Sequence, residues 1–209
     1  MPCHKPSRDG KPQNRAKELE LFLLIAGLIL FTVSHGLKIH APAHRATLAR
    51  SLGSGPVKGL VALSLIASVV LMVQGYGSAP YIELWSAPEW MRYVNNLLML
   101  VAIGLFLAGP PKSWLADRVR HPQLAGVKVW ALAHLLVNGD LAAVVLFGGI
   151  LGWAVAAMIG INRRDGKAAL PRRSTPTGSM AHACITLVVF AGVAWAHTYL
   201  GYPPFGAGT

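Results

Sequence analysis

Residues 120–140 read RHPQLAGVKVWALAHLLVNGD, and this stretch decides how the rest of the chain is understood. Most of its residues are apolar, yet it also holds two histidines, a lysine, an asparagine and an aspartate. Ionisable side chains are costly to bury in hydrocarbon, so those found in membrane-like sequence are functional candidates by default. The stretch therefore predicts both a membrane segment and a functional site.

The composition extends the membrane prediction to the whole chain. Of its 209 residues, 54% are hydrophobic and only 13% are charged, whereas soluble domains average about 25% charged residues. The apolar residues form long runs that alternate with short basic connections. This pattern is typical of a polytopic membrane protein and argues against an ordinary soluble domain.

The net charge of +11 does not indicate nucleic-acid binding. The lysines and arginines lie in the connections between apolar runs, as membrane topology and contact with anionic lipid headgroups require. We therefore expect membrane lipid, and no nucleic acid, as a partner. The two cysteines, Cys3 and Cys184, form no CxxCH motif, so any haem bound here would be non-covalent.

Six apolar segments predict an all-α, polytopic transmembrane helical bundle. They cover residues 19–39, 57–75, 93–109, 123–138, 140–161 and 180–200. A membrane span needs ~20 residues, so the first, fifth and sixth segments are long enough and the other three are short or tilted. Close helix packing is predicted for the fifth segment from its glycines, Gly148, Gly149, Gly152 and Gly160.

The charge distribution predicts the orientation. Twelve lysines and arginines lie in the first, third and fifth loops, and six lie on the opposite side. Positive residues favour the cytoplasm, so these loops are predicted to be cytoplasmic and the N-terminus external. A basic tail over residues 1–18, predicted to be disordered, opposes this trend with five of the six. The transmembrane domain then covers residues 19–201, and a short C-terminal tail covers residues 202–209.

His134 is the strongest site candidate, because its predicted helical face combines polar and aromatic residues. Trp130 lies four residues before it and Asn138 four residues after it, which places all three on one side of a helix. Such a face suits a pocket better than a lipid contact. Neutral imidazole is a good axial ligand for haem iron, and histidines on facing helices commonly hold a haem inside a bundle.

His35 is the predicted partner of His134, although a histidine at the end of the first segment could also simply lie at the headgroup layer. If Lys38 and Lys128 both reach the cytoplasmic interface, His35 lies ~4–5 Å and His134 ~9 Å beyond them. A modest tilt then brings both histidines to one depth.

Lys128 leaves two alternatives open. The distance from Lys128 to Asn138 is only ~15 Å along a helix, about half a bilayer. Either the fourth segment is a half-span whose NGD turn is buried in protein, or Lys128 lies deep with a partner. Asp140 or a haem propionate could be that partner.

The remaining candidates each have a structural alternative. Arg120 and His121 precede Pro122 at the predicted start of the fourth segment, where they either bind an anionic ligand group or line the headgroup layer. Asp140 is predicted to cap the next helix, with a site role also open. His197, in the last segment, is a spare ligand candidate.

Residues 120–140, together with FTVSHGLKI at residues 31–39, resemble the NnrU family of bacterial membrane proteins. The resemblance covers roughly residues 19–201 and implies a multi-pass inner-membrane protein associated with nitrite and nitric oxide reduction in denitrifying bacteria. Zeta-carotene isomerase, a membrane haem b enzyme of plants and cyanobacteria, resembles the same family and isomerises a cis double bond in a polyene. Its axial histidines would fall on His35 and His134. That enzyme has a cysteine where this chain has Ala131. The resemblance therefore supports haem binding more strongly than isomerase chemistry.

Arg120-His121-Pro122 with Gly126 is also similar to the RHPxxxG motif of certain membrane methyltransferases. Those enzymes use S-adenosylmethionine to methylate isoprenylcysteine or phospholipids. They carry a glutamate pair further toward the C-terminus, and this chain has no glutamate after Glu89. The methyltransferase therefore ranks below the other hypotheses.

Two leading hypotheses of different class follow. The first is a haem b protein with His35 and His134 as metal ligands and Lys128 and Arg120 as further cofactor-binding residues. It would perform redox or isomerase chemistry on a lipophilic or nitrogen-oxide substrate. The second is a non-catalytic accessory membrane protein, whose partners are denitrification proteins. The other site candidates are His121, Trp130, Asn138, Asp140 and His197.

Overall fold

The computed structural model describes residues 10–39, 41–108, 113–166 and 174–206. Seven α-helices and no β-strand lie within these ranges. They are α1 (Gly10–Ile39), α2 (Pro42–Leu52), α3 (Ser54–Ser78), α4 (Met91–Leu107), α5 (Pro122–Val137), α6 (Leu141–Asp165) and α7 (Pro176–Tyr199). The predicted all-α fold class is confirmed.

Four of these helices are long and apolar enough to cross a membrane. They are α3, α6, α7 and the part of α1 from Leu19 to Leu37, and at most 22% of the apolar window of each is buried inside the protein. Most of these apolar residues are not covered by other parts of the protein, so they require a hydrocarbon environment. Helices α4 and α5 are apolar but shorter, with 17 and 16 residues. The chain is therefore a multi-pass helical membrane protein.

Three boundaries differ from the predicted ones. The second apolar segment is not short, because α3 has 25 residues and includes the polar stretch from Ser54. Helix α2 occupies the first loop, where alanine, leucine and arginine favour a helix and Pro42 can start one. Helix α1 begins at Gly10, inside the predicted tail, because residues 13–20 are mostly strong helix formers. Residues 1–9 lie outside the described ranges.

The helices form two compact units. The first contains the described residues up to Ile82 together with Asp140–Leu146, and the second contains Glu83–Gly139 and the described residues from Phe147 onward. In the first unit α1 packs on α3 through glycine. A Cβ added to Gly75 would collide with the backbone of Leu24, and one added to Gly27 would lie 2.8 Å from the carbonyl oxygen of Ser68. The two backbones therefore approach as closely as helices in membranes do.

In the second unit α4 packs against both α5 and α7. A Cβ on Gly126 of α5 would lie 2.7 Å from the carbonyl oxygen of Ala102 on α4. On the other side of α4, Nε2 of the buried His182 donates to the carbonyl oxygen of Gly104, at 2.8 Å. This bond satisfies a buried imidazole and joins α7 to α4.

The close packing predicted from the glycines of α6 is not seen at Gly148 or Gly152. Apart from the neighbouring backbone of α6 itself, no described atom lies within 4 Å of the position that a Cβ would take at either residue. Helix α6 instead buries alanines, including Ala143, Ala154 and Ala157. The close packing that the sequence predicted at glycines of α6 is therefore found at its alanines, whose side chain is a methyl group.

The connection between α3 and α4 is anchored on the turn that follows α5. The carbonyl oxygen of Gly139 accepts hydrogen bonds from the backbone N–H of Leu84 at 2.7 Å and of Trp85 at 3.0 Å. A Cβ on Gly139 would collide with the carbonyl oxygen of Trp85. This turn therefore requires glycine.

We predict that Gly75→Ala lowers the stability of the protein by about 1–3 kcal/mol, the usual range for overpacking. The new methyl group meets the backbone of Leu24, which cannot move aside like a side chain. Gly77→Ala, on the same helix with open space around it, is the matched control and should be neutral or stabilising. Thermal unfolding in detergent measures both, and equal midpoints for the two variants would contradict the prediction.

Candidate functional site

His134 lies on α5 with one ring nitrogen held by its own helix. Its Nδ1 is 3.0 Å from the carbonyl oxygen of Trp130, one turn earlier. Because a carbonyl oxygen can only accept a hydrogen bond, Nδ1 carries the hydrogen and donates it. In the neutral ring the lone pair is then on Nε2, which is the nitrogen left for a ligand.

Two aromatic rings contact the imidazole of His134. Phe147 of α6 stacks on it, with ring centroids 4.6 Å apart and planes inclined by 27°. The ring of Trp130 lies 5.1 Å from that of His134 and meets Phe147 edge-on, also at 5.1 Å. Together with the hydrogen bond to the backbone, these contacts restrict the rotation of the imidazole.

His134 and His197 line one cleft, which we call the histidine cleft. His197 lies on α7 and repeats the arrangement of His134, because its Nδ1 donates to the carbonyl oxygen of Val193 at 2.8 Å. The cleft encloses ≈ 390 Å³, counting the part open to the surroundings. Its further lining residues include Asn95, Asn96 and Met99 of α4, Phe190 of α7 and Pro204.

The asparagine pair on α4 was missed by the sequence reasoning. Asn96 is buried, and its amide donates to the carbonyl oxygen of Pro204 at 2.8 Å. The amide of Asn95 donates to Oδ1 of Asn96 at 3.3 Å, while its own Oδ1 is buried without a partner among the described residues. A buried acceptor without a donor is a candidate contact for a bound water or ligand. The available signal was two adjacent amides within an apolar segment.

A larger apolar cleft adjoins the histidine cleft. The two share Met99 and Ile103 as lining residues. The apolar cleft encloses ≈ 730 Å³, counting its open part, and is also lined by Phe106, Trp130 and Val189. Its walls carry almost no polar atoms, which suits a lipophilic molecule.

His35 lies on α1, in the first unit. Its Nδ1 contacts the carbonyl oxygen of Phe31 at 3.1 Å, and the two rings lie 4.2 Å apart. The imidazole therefore has the same helix-bound Nδ1 as His134 and His197. Because His35 and His134 belong to different units, their pairing stays a prediction from the sequence.

Lys128 is half-buried on α5, and the described partner of its ammonium group is Sδ of Met158, at 3.6 Å. Asp140 has a separate task, because its Oδ1 accepts from the backbone N–H of Ala143 at 2.9 Å. This is the predicted N-cap of α6. Asn138 likewise serves the backbone, since its amide donates to the carbonyl oxygen of His134 at 2.9 Å.

Arg120 and His121 fasten the start of α5 to the end of α6. The guanidinium of Arg120 donates to the carbonyl oxygen of Gly166. Nε2 of His121 lies 2.9 Å from Oδ1 of Asn162. The sequence offered an anion site or a headgroup contact here, and the structure gives both side chains partners within the protein.

The donor chemistry of the histidine cleft fits haem better than a polydentate metal site. The described residues contain no cluster of three or more histidine, cysteine, aspartate or glutamate residues that could hold a metal ion. Neutral imidazole nitrogens, of which the cleft has two, are instead a type of ligand that haem iron takes. The apolar walls nearby would suit the macrocycle.

Comparison with protein families matched the chain to the model described as NnrU protein, over residues 23–204. No curated protein and no solved structure matched the chain.

We predict that Asp140→Ala lowers stability by about 1 kcal/mol through loss of the N-cap, whereas Asp140→Asn changes it by only a few tenths. Asparagine keeps an oxygen that can accept from the N–H of Ala143. Thermal unfolding in detergent compares the two variants. Equal losses for alanine and asparagine would mean that the negative charge, and not the cap, is what matters at this position.

Proposed function

The chain belongs to the NnrU family, and from this membership and the geometry of the histidine cleft we propose that it binds haem b through His134. The observation that carries the proposal is the shared arrangement of His134 and His197. Both line one cleft, and each has Nδ1 occupied by its own helix so that Nε2 remains for a ligand.

Two residues are candidates for the second histidine that would hold the haem. The resemblance to zeta-carotene isomerase assigns it to His35, whereas the geometry of the second unit offers His197 beside His134. Both imidazoles have Nδ1 at a backbone carbonyl oxygen. The two assignments make different spectroscopic predictions, given below.

Other residues near His134 would serve the bound haem in different ways. Trp130 and Phe147 hold the plane of the His134 imidazole. Lys128 forms no ion pair among the described residues, and its ammonium group would balance a propionate. Bound haem supplies an iron centre that can change oxidation state and act as a Lewis acid.

We propose a lipophilic substrate, because the apolar cleft adjoins the histidine cleft. A long apolar molecule in the apolar cleft would reach the histidines past Met99 and Ile103, which line both. Trp130 lines the apolar cleft and also contacts His134. Isomerisation of a cis double bond in such a molecule is the reaction that the family resemblance suggests, and the inner membrane is the proposed location.

An accessory role in nitrite and nitric oxide reduction is the second candidate, and Ala131 favours it. This residue is fully buried and stands where the isomerase has a cysteine, so no thiol is available there. Haem would then act in sensing or in assembly with denitrification proteins. A methyltransferase has the least support, because Arg120 and His121 bind the end of α6.

We predict that the detergent-purified protein, expressed with haem precursor, shows a Soret band and resolved α and β bands after reduction. His134→Ala should lower the haem content to less than about a tenth, because it removes an axial ligand. His44→Ala, an exposed histidine on α2, is the control and should keep the full haem content. A normal haem load in His134→Ala would contradict the proposal.

The second ligand is identified in the same spectra. Loss of the six-coordinate spectrum in His197→Ala, with His35→Ala unchanged, assigns the position to His197, and the reverse assigns it to His35. Retention of six-coordinate haem in both single variants would show that neither residue is the ligand.

We further predict that the haem-loaded protein converts a cis-polyene when expressed in a bacterial host that accumulates one. His134→Ala, expressed to the same level, should leave the cis isomer in place. Pigment chromatography measures the ratio of the isomers. No conversion by haem-loaded protein would instead favour the accessory role.

A further inference from the structure

The first unit contains a cleft far along the chain from the residues that line the histidine cleft. It lies among α1, α2 and α3 and encloses ≈ 640 Å³, counting the part open to the surroundings. Its walls are almost entirely apolar and include Leu37, Leu48 and Leu60. Arg45 and its neighbour His44, both on α2, also line it. We call this the α2 cleft.

The α2 cleft combines an apolar interior with an unpaired positive charge. Arg45 is half-buried and forms no ion pair in the described part of the chain. The sequence explains why, because no aspartate or glutamate occurs between Glu20 and Glu83. Over the same stretch there are four basic residues, Lys38, Arg45, Arg50 and Lys58. No acidic side chain of this stretch is therefore available to pair with Arg45.

The two serine hydroxyls that line the α2 cleft already have hydrogen-bond partners within the protein. Oγ of Ser34 and Oγ of Ser64 are 2.9 Å apart and hydrogen-bond to each other, and Oγ of Ser64 also lies 2.8 Å from the carbonyl oxygen of Val61. These hydroxyls are satisfied within the protein, so a hydrocarbon chain can lie beside them without stranding a polar group. The polar end of a ligand belongs at Arg45.

The position of α2 sets the depth of this site. Helix α2 connects the end of α1 at Ile39 to the start of α3 at Ser54, and both of those helices contain candidate membrane spans. A short basic helix between two spans lies at the membrane surface. Arg45 is then at headgroup depth, and the apolar walls extend from it into the hydrocarbon.

We infer that the α2 cleft binds an anionic phospholipid, with its phosphate at Arg45 and an acyl chain between α1 and α3. Arginine pairs with phosphate through charge-assisted, often bidentate hydrogen bonds, which a zwitterionic lipid satisfies less well because it carries its own cation. None of the residues that line this cleft is among those proposed to bind haem or to line the histidine cleft.

The test is native mass spectrometry of the full chain in detergent, titrated with phosphatidylglycerol or with phosphatidylcholine. We expect phosphatidylglycerol to bind about tenfold more tightly, and Arg45→Gln to remove that preference. Arg50→Gln is the matched control, because Arg50 is on the same helix but does not line the cleft. Val61→Phe, which narrows the cleft but keeps the charge, should weaken both lipids.

Several results would overturn the inference. Equal binding of the two lipids, or equal losses in Arg45→Gln and Arg50→Gln, would show that only general surface charge is at work. Full competition by glycerol phosphate, which has no acyl chain, would indicate a phosphate site without a lipid site. A dimer that phosphatidylglycerol does not disrupt, and that Arg45→Gln does, would assign the cleft to a second copy of the chain.

Discussion

The structure depends on one constraint. Polar groups on apolar helices must find their hydrogen-bond partners nearby in the protein. In hydrocarbon no water is available, and an unpaired polar group costs several kcal/mol, on the order of the whole stability of a small domain. The histidines at positions 35, 134 and 197 meet this constraint in the same way, because Nδ1 of each contacts the carbonyl oxygen four residues earlier. At His134 and His197 this bond uses only Nδ1, and Nε2 of each has no hydrogen-bond partner among the described residues.

The frame around the histidine cleft comes from close contacts between helix backbones. Gly126 brings α5 against the backbone of α4, and the bond from His182 to Gly104 holds α7 to the same helix. Helix α4 is thus the common support of the two histidine-bearing helices in the second unit. Its own contribution to the cleft is the asparagine pair, one member of which binds the carbonyl oxygen of Pro204. A short helix serves here because it is fixed on both sides.

Much of the fold could be predicted from the sequence, because apolar runs and basic connections are local features. The short lengths of α4 and α5 and the cap at Asp140 followed from spacing and residue type alone. Helix α2 was missed because the helices were predicted from long hydrophobic runs. Its helix-forming residues are interrupted by polar ones and do not form such a run. The same bias placed the start of α1 too late.

The candidate site was harder to predict, because it depends on which helices are neighbours. His134 was identified from its own surroundings in the sequence, but its cleft partner His197 depends on the packing of α4 with α7. No local pattern reports that packing. Asn95 is a different case, because the rule that selected His134, a polar residue in an apolar segment, applies to it equally. Gly148 and Gly152 of α6 show the opposite error, since composition alone does not say which face of a helix is covered.

Within the motif at residues 120–140, Gly139 is required by the fold, whereas His134 is a candidate ligand. The carbonyl oxygen of Gly139 accepts hydrogen bonds from the connection between α3 and α4. The carbonyl oxygen of Trp85 leaves no room for a side chain at this position. The requirement for glycine at this position therefore comes from the fold, whatever reaction the protein performs. At His134 the helix bond occupies only Nδ1, and the proposed haem would use Nε2 instead. Replacing the histidine would therefore leave this turn intact, whereas replacing the glycine would disturb the turn and leave the imidazole unchanged.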